Sequence, residues 1–311
     1  MNLKDYADLS VSELRDRIAK AKSAKNAIIL AHNYIRDEVQ RVADILGDSL
    51  GLSRQAAATD ADTIVFCGVM FMAETAKILA PEKTVLIPEK GAGCPLAACA
   101  TMEDVLEMRR KYPDHIVISY VNTTAEVKAV TDICCTSGNA LEVVRSVGDK
   151  PVIFLPDKNL GAWVKRELEK ENIIFWDGGC YVHQFIGLDD IERARAANPN
   201  ATIIVHPECP PEVTETADVV ASTAGMYRYV AEHDEPVLLG TEIGLIERIQ
   251  REMPEKKVGW VKGDAICSNM KLITLPKLAR CLEQNLYEVT LDEPIRAAAE
   301  DSIRKMVEIG K

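Results

Sequence analysis

No stretch of about 18 consecutive apolar residues occurs in the chain, so a membrane-spanning helix is not expected. The opening residues, Met1 to Asp8, contain no basic segment followed by an apolar one, so a secretory leader is not expected either. Positive charge is scarce. The sequence has 37 Lys and Arg against 48 Asp and Glu, a formal net charge of −11, which argues against a nucleic-acid surface. Small anionic ligands stay open, because a local group of N–H and hydroxyl donors overrides net charge. A Gly/Ser linker, a low-complexity tract, a block of like charge and a C-x2-C pair are all missing. The last absence disfavours a sequence-local ferredoxin site and a structural zinc site, which use ligands close in sequence.

What is present is ordinary for a globular chain: 47% hydrophobic and 27% charged residues. At 311 residues it is long for one core, and two or three domains of about 100 residues are expected. Nine cysteines without a leader indicate a reducing compartment, the cytoplasm, where thiols bind metal, catalyse or sit buried.

A capping box, Ser10 with Glu13, opens an amphipathic helix reaching about Lys22. From there β-rich apolar runs alternate with helical patterns, the signature of parallel α/β units. Strands are expected at 27–31, 63–66, 84–87, 116–121, 132–134, 152–155, 173–176, 202–205, 218–220, 237–239 and 258–261. The runs repeat. First strands end at His32, Tyr120 and His206, and second strands begin at Ala-Asp62, Thr-Asp132 and Ala-Asp218, with the first third one strand–helix step short. The expected fold is α/β: three αβα three-layer domains with parallel sheets, related by pseudo-threefold symmetry around a central junction. The boundaries read as 1–105, 106–192 and 193–285, with 286–311 a C-terminal helix packing back on the core.

Cys94, Cys180 and Cys267 stand 86 and 87 residues apart, after the turns Glu-Lys-Gly-Ala-Gly, Asp-Gly-Gly and Lys-Gly-Asp-Ala-Ile. One thiolate per unit, brought to a common point, holds an iron–sulfur cluster with one iron left open as a Lewis acid. A helix start after each cysteine would favour a negatively charged cluster through its dipole. Taken singly, each of these cysteines reads equally well as a buried small hydrophobe, and the equal spacing tips the balance. Cys99 is the substitute ligand nearest in sequence, while Cys67, Cys134, Cys135, Cys209 and Cys281 pack or line the cavity.

Ligands in open parallel sheets bind beyond the carboxyl ends of the strands. Those ends carry His32, Tyr120 and His206, followed by Tyr34, Asn122 and Glu208. The turns holding Ser137 and Thr223 join strands to helices and suit phosphate or carboxylate, although helix capping alone explains a hydroxyl there. Ser49, in Gly47-Asp-Ser-Leu50, is a weaker signal of the same kind. His32, His206 and Glu208 are candidates for polarising carbonyls or moving protons.

With these residues in view, the chain resembles quinolinate synthase, the iron–sulfur enzyme family of de novo NAD biosynthesis, over nearly its whole length. The resemblance rests on Ile-Leu-Ala-His32-Asn-Tyr34, Gly47-Asp-Ser49, Phe71-Met-Ala-Glu-Thr-Ala-Lys77, Tyr120-Val121-Asn122-Thr, Cys135-Thr-Ser137-Gly-Asn, Pro156-Asp-Lys-Asn, Cys180-Tyr-Val-His183, His206-Pro207-Glu208-Cys, Ser222-Thr223 and Gly240-Thr-Glu-Ile-Gly. It implies a [4Fe–4S] cluster on Cys94, Cys180 and Cys267. It implies substrate contacts at His32, Ser49, Tyr120, Val121, Asn122, Ser137, His206, Pro207, Glu208 and Thr223, with Tyr34, His206 and Glu208 in the chemistry. The implied substrates are iminoaspartate, from an aspartate oxidase or dehydrogenase, and dihydroxyacetone phosphate. Another open-iron hydro-lyase, acting on a hydroxy acid, would use the same three thiolates without needing a phosphate site, and a cluster serving as electron carrier or iron sensor would be fully ligated and leave the strand-end histidines without a purpose.

Overall fold

The computed structural model describes residues 2–309. Its strands are β1 Ala27–His32, β2 Ile45–Gly47, β3 Thr63–Cys67 and β4 Thr84–Leu86, then β5 Ile116–Tyr120, β6 Ile133–Cys135, β7 Val152–Leu155 and β8 Ile173–Phe175. The remainder are β9 Thr202–Val205, β10 Val219–Val220, β11 Val237–Gly240 and β12 Val258–Trp260. They form three four-stranded sheets ordered β2-β1-β3-β4, β6-β5-β7-β8 and β10-β9-β11-β12. Every named strand pair is parallel. Helices flank the sheets, so β3, β7 and β11 are buried along their full length and read as continuous apolar runs. The expected α/β architecture of three αβα units is the one observed.

The first unit is not a strand short. Its second strand is β2, three residues long and half-buried, too short and too mixed to stand out as an apolar run. The repeat therefore aligns Asp44, not Asp62, with Asp132 and Asp218. Each of these aspartates accepts a hydrogen bond from the backbone N–H fifteen residues earlier, at Ile29, Val117 and Ile203, each at 2.8 Å. Each also donates its own N–H to the carbonyl of that same residue. With this register, Ser49, Ser137 and Thr223 each lie five residues beyond the aspartate and become equivalent.

The expected N-terminal capping box is formed: Ser10 and Glu13 cap the helix Val11–Ala24. At the other end, the helix Glu293–Glu308 packs on the helices Ala125–Ala129 and Met70–Leu79 and on β6. Ser302 donates to the Lys128 carbonyl at 3.0 Å and Lys305 to that of Asp132 at 3.1 Å.

Gly178 shows how tightly one cysteine turn is built. It bridges Asp157, its carbonyl accepts from the Lys158 N–H at 2.9 Å, and a Cβ there would collide with the Pro156 carbonyl oxygen. The obstacle is a backbone oxygen, not the end of a flexible side chain that could give way. Gly178→Ala is expected to cost about 3 kcal/mol of stability, read by denaturant unfolding. A wild-type unfolding midpoint would show that the turn relaxes freely.

Candidate active site

Because the three units repeat, the carboxyl ends of β1, β5 and β9 deliver residues in equivalent pairs: His32 with Tyr34, Tyr120 with Asn122, and His206 with Glu208. The turns after β2, β6 and β10 add Ser49, Ser137 and Thr223. All nine line one cavity, and so do Cys94, Cys180 and Cys267. Val121 and Pro207, also expected at the site, are buried among these residues and do not line the cavity.

The bland reading of the hydroxyls as helix caps fails at all three turns. Asp48 caps the helix beginning at Ser49, accepting from the Gly51 N–H at 2.8 Å. Ser222 caps the one beginning at Thr223, accepting from Gly225 at 3.2 Å. Asn139 is the cap residue after Ser137. The hydroxyls of Ser49, Ser137 and Thr223 are thereby left to the cavity and its neighbours: Ser137 meets the His206 ring at 3.1 Å and Thr223 accepts from the Asn33 amide at 3.2 Å.

The two strand-end imidazoles are oriented alike. His32 Nδ1 accepts the Tyr34 N–H at 3.2 Å, and His206 Nδ1 accepts the Glu208 N–H at 3.3 Å. A neutral ring that accepts at Nδ1 carries its proton on Nε2, so each presents an N–H donor. Neutral they are: burial lowers each to about 3, against the raising effect of the Glu208 charge.

Glu208 is fully enclosed. Its Oε2 lies 2.6 Å from His183 Nδ1 and 3.4 Å from His206 Nδ1, while Oε1 is buried with no partner. Burial pushes its carboxyl up, but His183, by charge and hydrogen bonding, then His206 and the Tyr120 hydroxyl outweigh burial and bring it down to about 2. The 2.6 Å contact lies off the ring N–H axis, so the electrostatic attraction is the secure part of the pairing. Asn122 Oδ1 is a second buried polar atom without a partner in the cavity. Unpaired buried acceptors are rare, and two on one lining mark a site completed by a ligand.

Behind the lining runs a chain that the sequence reading did not assemble. The Tyr34 hydroxyl meets Thr241 Oγ1 at 2.7 Å, and Thr241 Oγ1 meets His183 Nε2 at 3.0 Å. His183 Nδ1 then closes on Glu208. The ring of His183 also stacks on His206, with centroids 4.4 Å apart. The segment Gly240-Thr-Glu-Ile-Gly had been noticed, but nothing local pointed to Thr241.

The cysteine turns show a second missed pair. Asp157 Oδ2 accepts the Cys180 N–H at 3.0 Å, and Glu242 Oε1 accepts the Cys267 N–H at 3.2 Å. Both carboxylates are fully buried, just beyond β7 and β11 at repeat-equivalent positions. Val69 takes this place in the first unit and has no such group, so its cysteine turn is tied instead by Met70 N–H to the Ala92 carbonyl, 2.8 Å. The signal was available in sequence: an acidic residue directly at a strand-to-helix cap.

Helices after the cysteines are shorter than expected. Cys180 precedes a four-residue helix, Tyr181–Gln184; Cys267 is followed by a 3-10 turn, Met270–Leu272; and Cys94 by turns alone. Helix dipoles therefore contribute little. Individual N–H groups act instead, from Leu96 and Ala97 on Cys94, His183 on Cys180, and Asn269 and Met270 on Cys267, each favouring thiolate. Burial outweighs them and raises all three thiols, Cys94 to about 12. A cation is what would draw off those protons.

Three soft sulfur donors from three units, half-buried on one cavity, would suit an iron–sulfur group. Cys180, His183 and Glu208 also offer donor atoms within 4.8 Å of one another. His183 and Glu208 are already engaged with each other, and that mixed set is the poorer candidate. Cys99 is exposed, bonded to the Pro95 carbonyl and absent from the lining. The other five cysteines are buried.

Residues 16–308 match the family model described as quinolinate synthetase A protein. The chain belongs to the quinolinate synthase family. It is 49% identical over 298 residues to the quinolinate synthase of Thermodesulfovibrio yellowstonii, covering 96% of this chain and 98% of that one. To that of Methanocaldococcus jannaschii it is 46% identical over 304 residues, covering 96% and 99%. The Geobacter metallireducens quinolinate synthase is 45% identical over 302 residues, covering 97% and 99%. No helix among the described residues of this family member is long and apolar enough to cross a membrane.

The buried imidazoles set an acid limit on stability. Their folded values, about 3, lie below the ordinary histidine range near 6.5. Between these values the unfolded chain binds protons that the folded chain refuses, so stability falls as pH drops below about 6.5. From pH 7 to 5 the two groups together should cost about 4 kcal/mol. Urea unfolding at both pH values checks this, and His206→Asn should remove about half of the difference. Equal pH dependence in wild type and variant would contradict it.

Proposed function

We propose that this chain condenses iminoaspartate with dihydroxyacetone phosphate, giving quinolinate, inorganic phosphate and two waters, for NAD biosynthesis in the cytoplasm. The observation that supports it best is the meeting of three cysteines and three equivalent sets of strand-end donors on one cavity, in a member of this family. The site residues and the units 1–105, 106–192 and 193–285, with 286–311 behind, are part of this reading.

Cys94, Cys180 and Cys267 would hold a [4Fe–4S] cluster. When bound, it supplies a Lewis acid that stabilises departing oxygen. The chain's own residues do the rest. Ser49, Ser137 and Thr223 hold phosphate and carboxylate oxygens by hydroxyl donation, a means available in a site with no free cation on its lining. His32 and His206, neutral and donating from Nε2, orient carbonyl or carboxylate oxygens without sequestering them as an ion pair would. Tyr120 and Asn122 border the same space. Carbon–carbon bond formation and the two dehydrations require protons to leave carbon and reach oxygen. Glu208 accepts such a proton at its unpartnered Oε1, and the Tyr34–Thr241–His183 chain behind it holds the His183 ring against the carboxylate. An aspartate oxidase or dehydrogenase would supply the imine.

Anaerobic purification, iron and sulfide counting and a quinolinate assay test the proposal together. About four irons per chain with product formation are expected. Active protein free of iron would overturn it.

A further inference from the structure

Lys271 lies in the 3-10 turn Met270–Leu272, just beyond Cys267, and its N–H donates to the Cys267 carbonyl at 3.1 Å. Its ammonium makes two contacts. It pairs with Glu242 Oε1 at 2.8 Å and donates to the Tyr34 carbonyl at 2.7 Å. Glu242 is fully buried; the same Oε1 accepts the Cys267 N–H at 3.2 Å, while Oε2 accepts that of Gly244 at 2.7 Å. The Lys271 carbonyl in turn accepts from Arg36 Nε at 2.6 Å. The third unit and the first-unit loop 34–36 thus grip each other in both directions.

The knot is tight. A Cβ on Gly244 would lie 2.8 Å from Glu242 Oε2, 2.9 Å from the Asn33 carbonyl oxygen and 2.9 Å from Lys271 Nζ, so the close approach requires glycine. The buried Gln40 amide donates to the carbonyls of Asn33 and Ile35 at 2.9 Å and of Gly244 at 3.2 Å, joining the same two units. Tyr34 is therefore held at three points. His32 Nδ1 accepts its N–H, Lys271 donates to its carbonyl, and Thr241 Oγ1 meets its hydroxyl. Thr241 and Glu242 are consecutive, so one dipeptide beyond β11 fixes the phenol directly and the backbone through Lys271. A lysine that only neutralised Glu242 would have no need to reach the Tyr34 carbonyl.

We propose that Lys271 is a positioning residue for Tyr34: it ties the Tyr34 backbone to the carboxylate that also holds the Cys267 turn, so the cysteine turn sets where the phenol stands in the cavity. The inference rests on the reading of Tyr34 as part of the chemistry. Its physical basis is separate. A ring fastened only at its hydroxyl can pivot, whereas one whose backbone is also fixed has a single placement. Reaction rates are sensitive to such placement, with an error of about 1 Å costing up to about a hundredfold. An ammonium has three donors and can serve a carboxylate and a carbonyl at once, and in a low-dielectric setting that arrangement is stiff. Methionine, of similar length, would leave the Tyr34 carbonyl without this donor and Glu242 without its countercharge.

Two measurements on the iron-loaded protein test it. With carbon-13 at the phenol carbon of every tyrosine, the Tyr34 resonance is identified by its absence from Tyr34→Phe protein. It should be a single line in wild type and should broaden or split in Lys271→Met, as the ring loses its one placement. Lys271→Arg, whose guanidinium can serve both the carboxylate and the carbonyl, should restore it. This readout needs no turnover: a wild-type protein that makes no quinolinate would defeat the functional reading and leave the resonance to decide this one. In the quinolinate assay, Lys271→Met should lower kcat about tenfold with KM within about twofold of wild type, and Lys271→Arg should recover most of the loss. In Tyr34→Phe protein the same Met substitution should add less than about a twofold loss, because it acts through a ring that has already lost its hydroxyl. Lys271→Met combined with Glu242→Gln leaves no lone buried charge and serves if the single variant does not fold; its Tyr34 line should broaden too. A wild-type Tyr34 line in these variants, or an undiminished loss of kcat in the Tyr34→Phe background, would overturn the proposal.

Discussion

Glu208→Gln should lower quinolinate formation by about a factor of 10³ while leaving the iron content and visible absorption of the protein unchanged. The size follows from what the substitution removes. The amide keeps the shape but loses the negative charge and the ability to take up a proton. In wild type, Oε1 is buried on the cavity with no partner, the position of a group waiting for a proton from the ligand. An isolated carboxylate lowered to about 2 would be a poor base. This one is low because its neighbours, His183 first, favour the charged form against burial, and the charged form is the one able to take up a proton. The amide has neither the charge nor a site for that proton. Because three sulfurs suffice as protein ligands, the cluster should survive. Turnover at the wild-type level would sink the assignment; loss of iron would instead place Glu208 among the ligands.

Replacing Cys94, Cys180 or Cys267 singly with Ala should abolish both bound iron and activity, whereas Cys99→Ser should retain both. Each of the three thiols is raised by burial, so a cation must draw off its proton before it can act as a ligand. With two sulfurs left, the loss of one strong bond falls on a site whose lining holds no fourth cysteine. Cys99 is close in sequence but exposed, with its sulfur on the Pro95 carbonyl. Iron analysis after anaerobic reconstitution decides the matter, and an iron-replete Cys94→Ala protein would remove Cys94 from the ligand set.

Much of the site was legible before the fold was known, because parallel sheets buried on both faces write their strands as uninterrupted apolar runs and place polar residues at the run ends. His32, Tyr120 and His206 were found that way. The error in the first unit has the same cause in reverse. Strand β2 is half-buried and only three residues long, so its apolar signal is weak and the pattern of runs points to Asp62 instead of Asp44. The equivalence of Ser49 with Ser137 and Thr223 emerges only from the three 2.8 Å aspartate contacts. Thr241 is different: it acts on Tyr34 and His183, tens of residues away, and a linear pattern does not encode such a contact. Asp157 and Glu242 do leave a local mark, an acidic residue at a strand-to-helix cap, but their partners at the cysteine turns appear only in the fold.

By itself the amino-acid sequence determined the α/β class, the repeat of the apolar runs, the identity of the strand-end groups and the family, since all of these depend on local patterns or on motif order. The tertiary structure decided how those groups behave. Only close packing of the three units sets His183 against Glu208 and holds the imidazoles of His32 and His206 neutral, and only the folding of each unit hangs the Cys180 and Cys267 turns on buried carboxylates. Protonation state and pairing depend on burial and on distances of a few ångströms, and those exist only once the chain has closed around its central cavity.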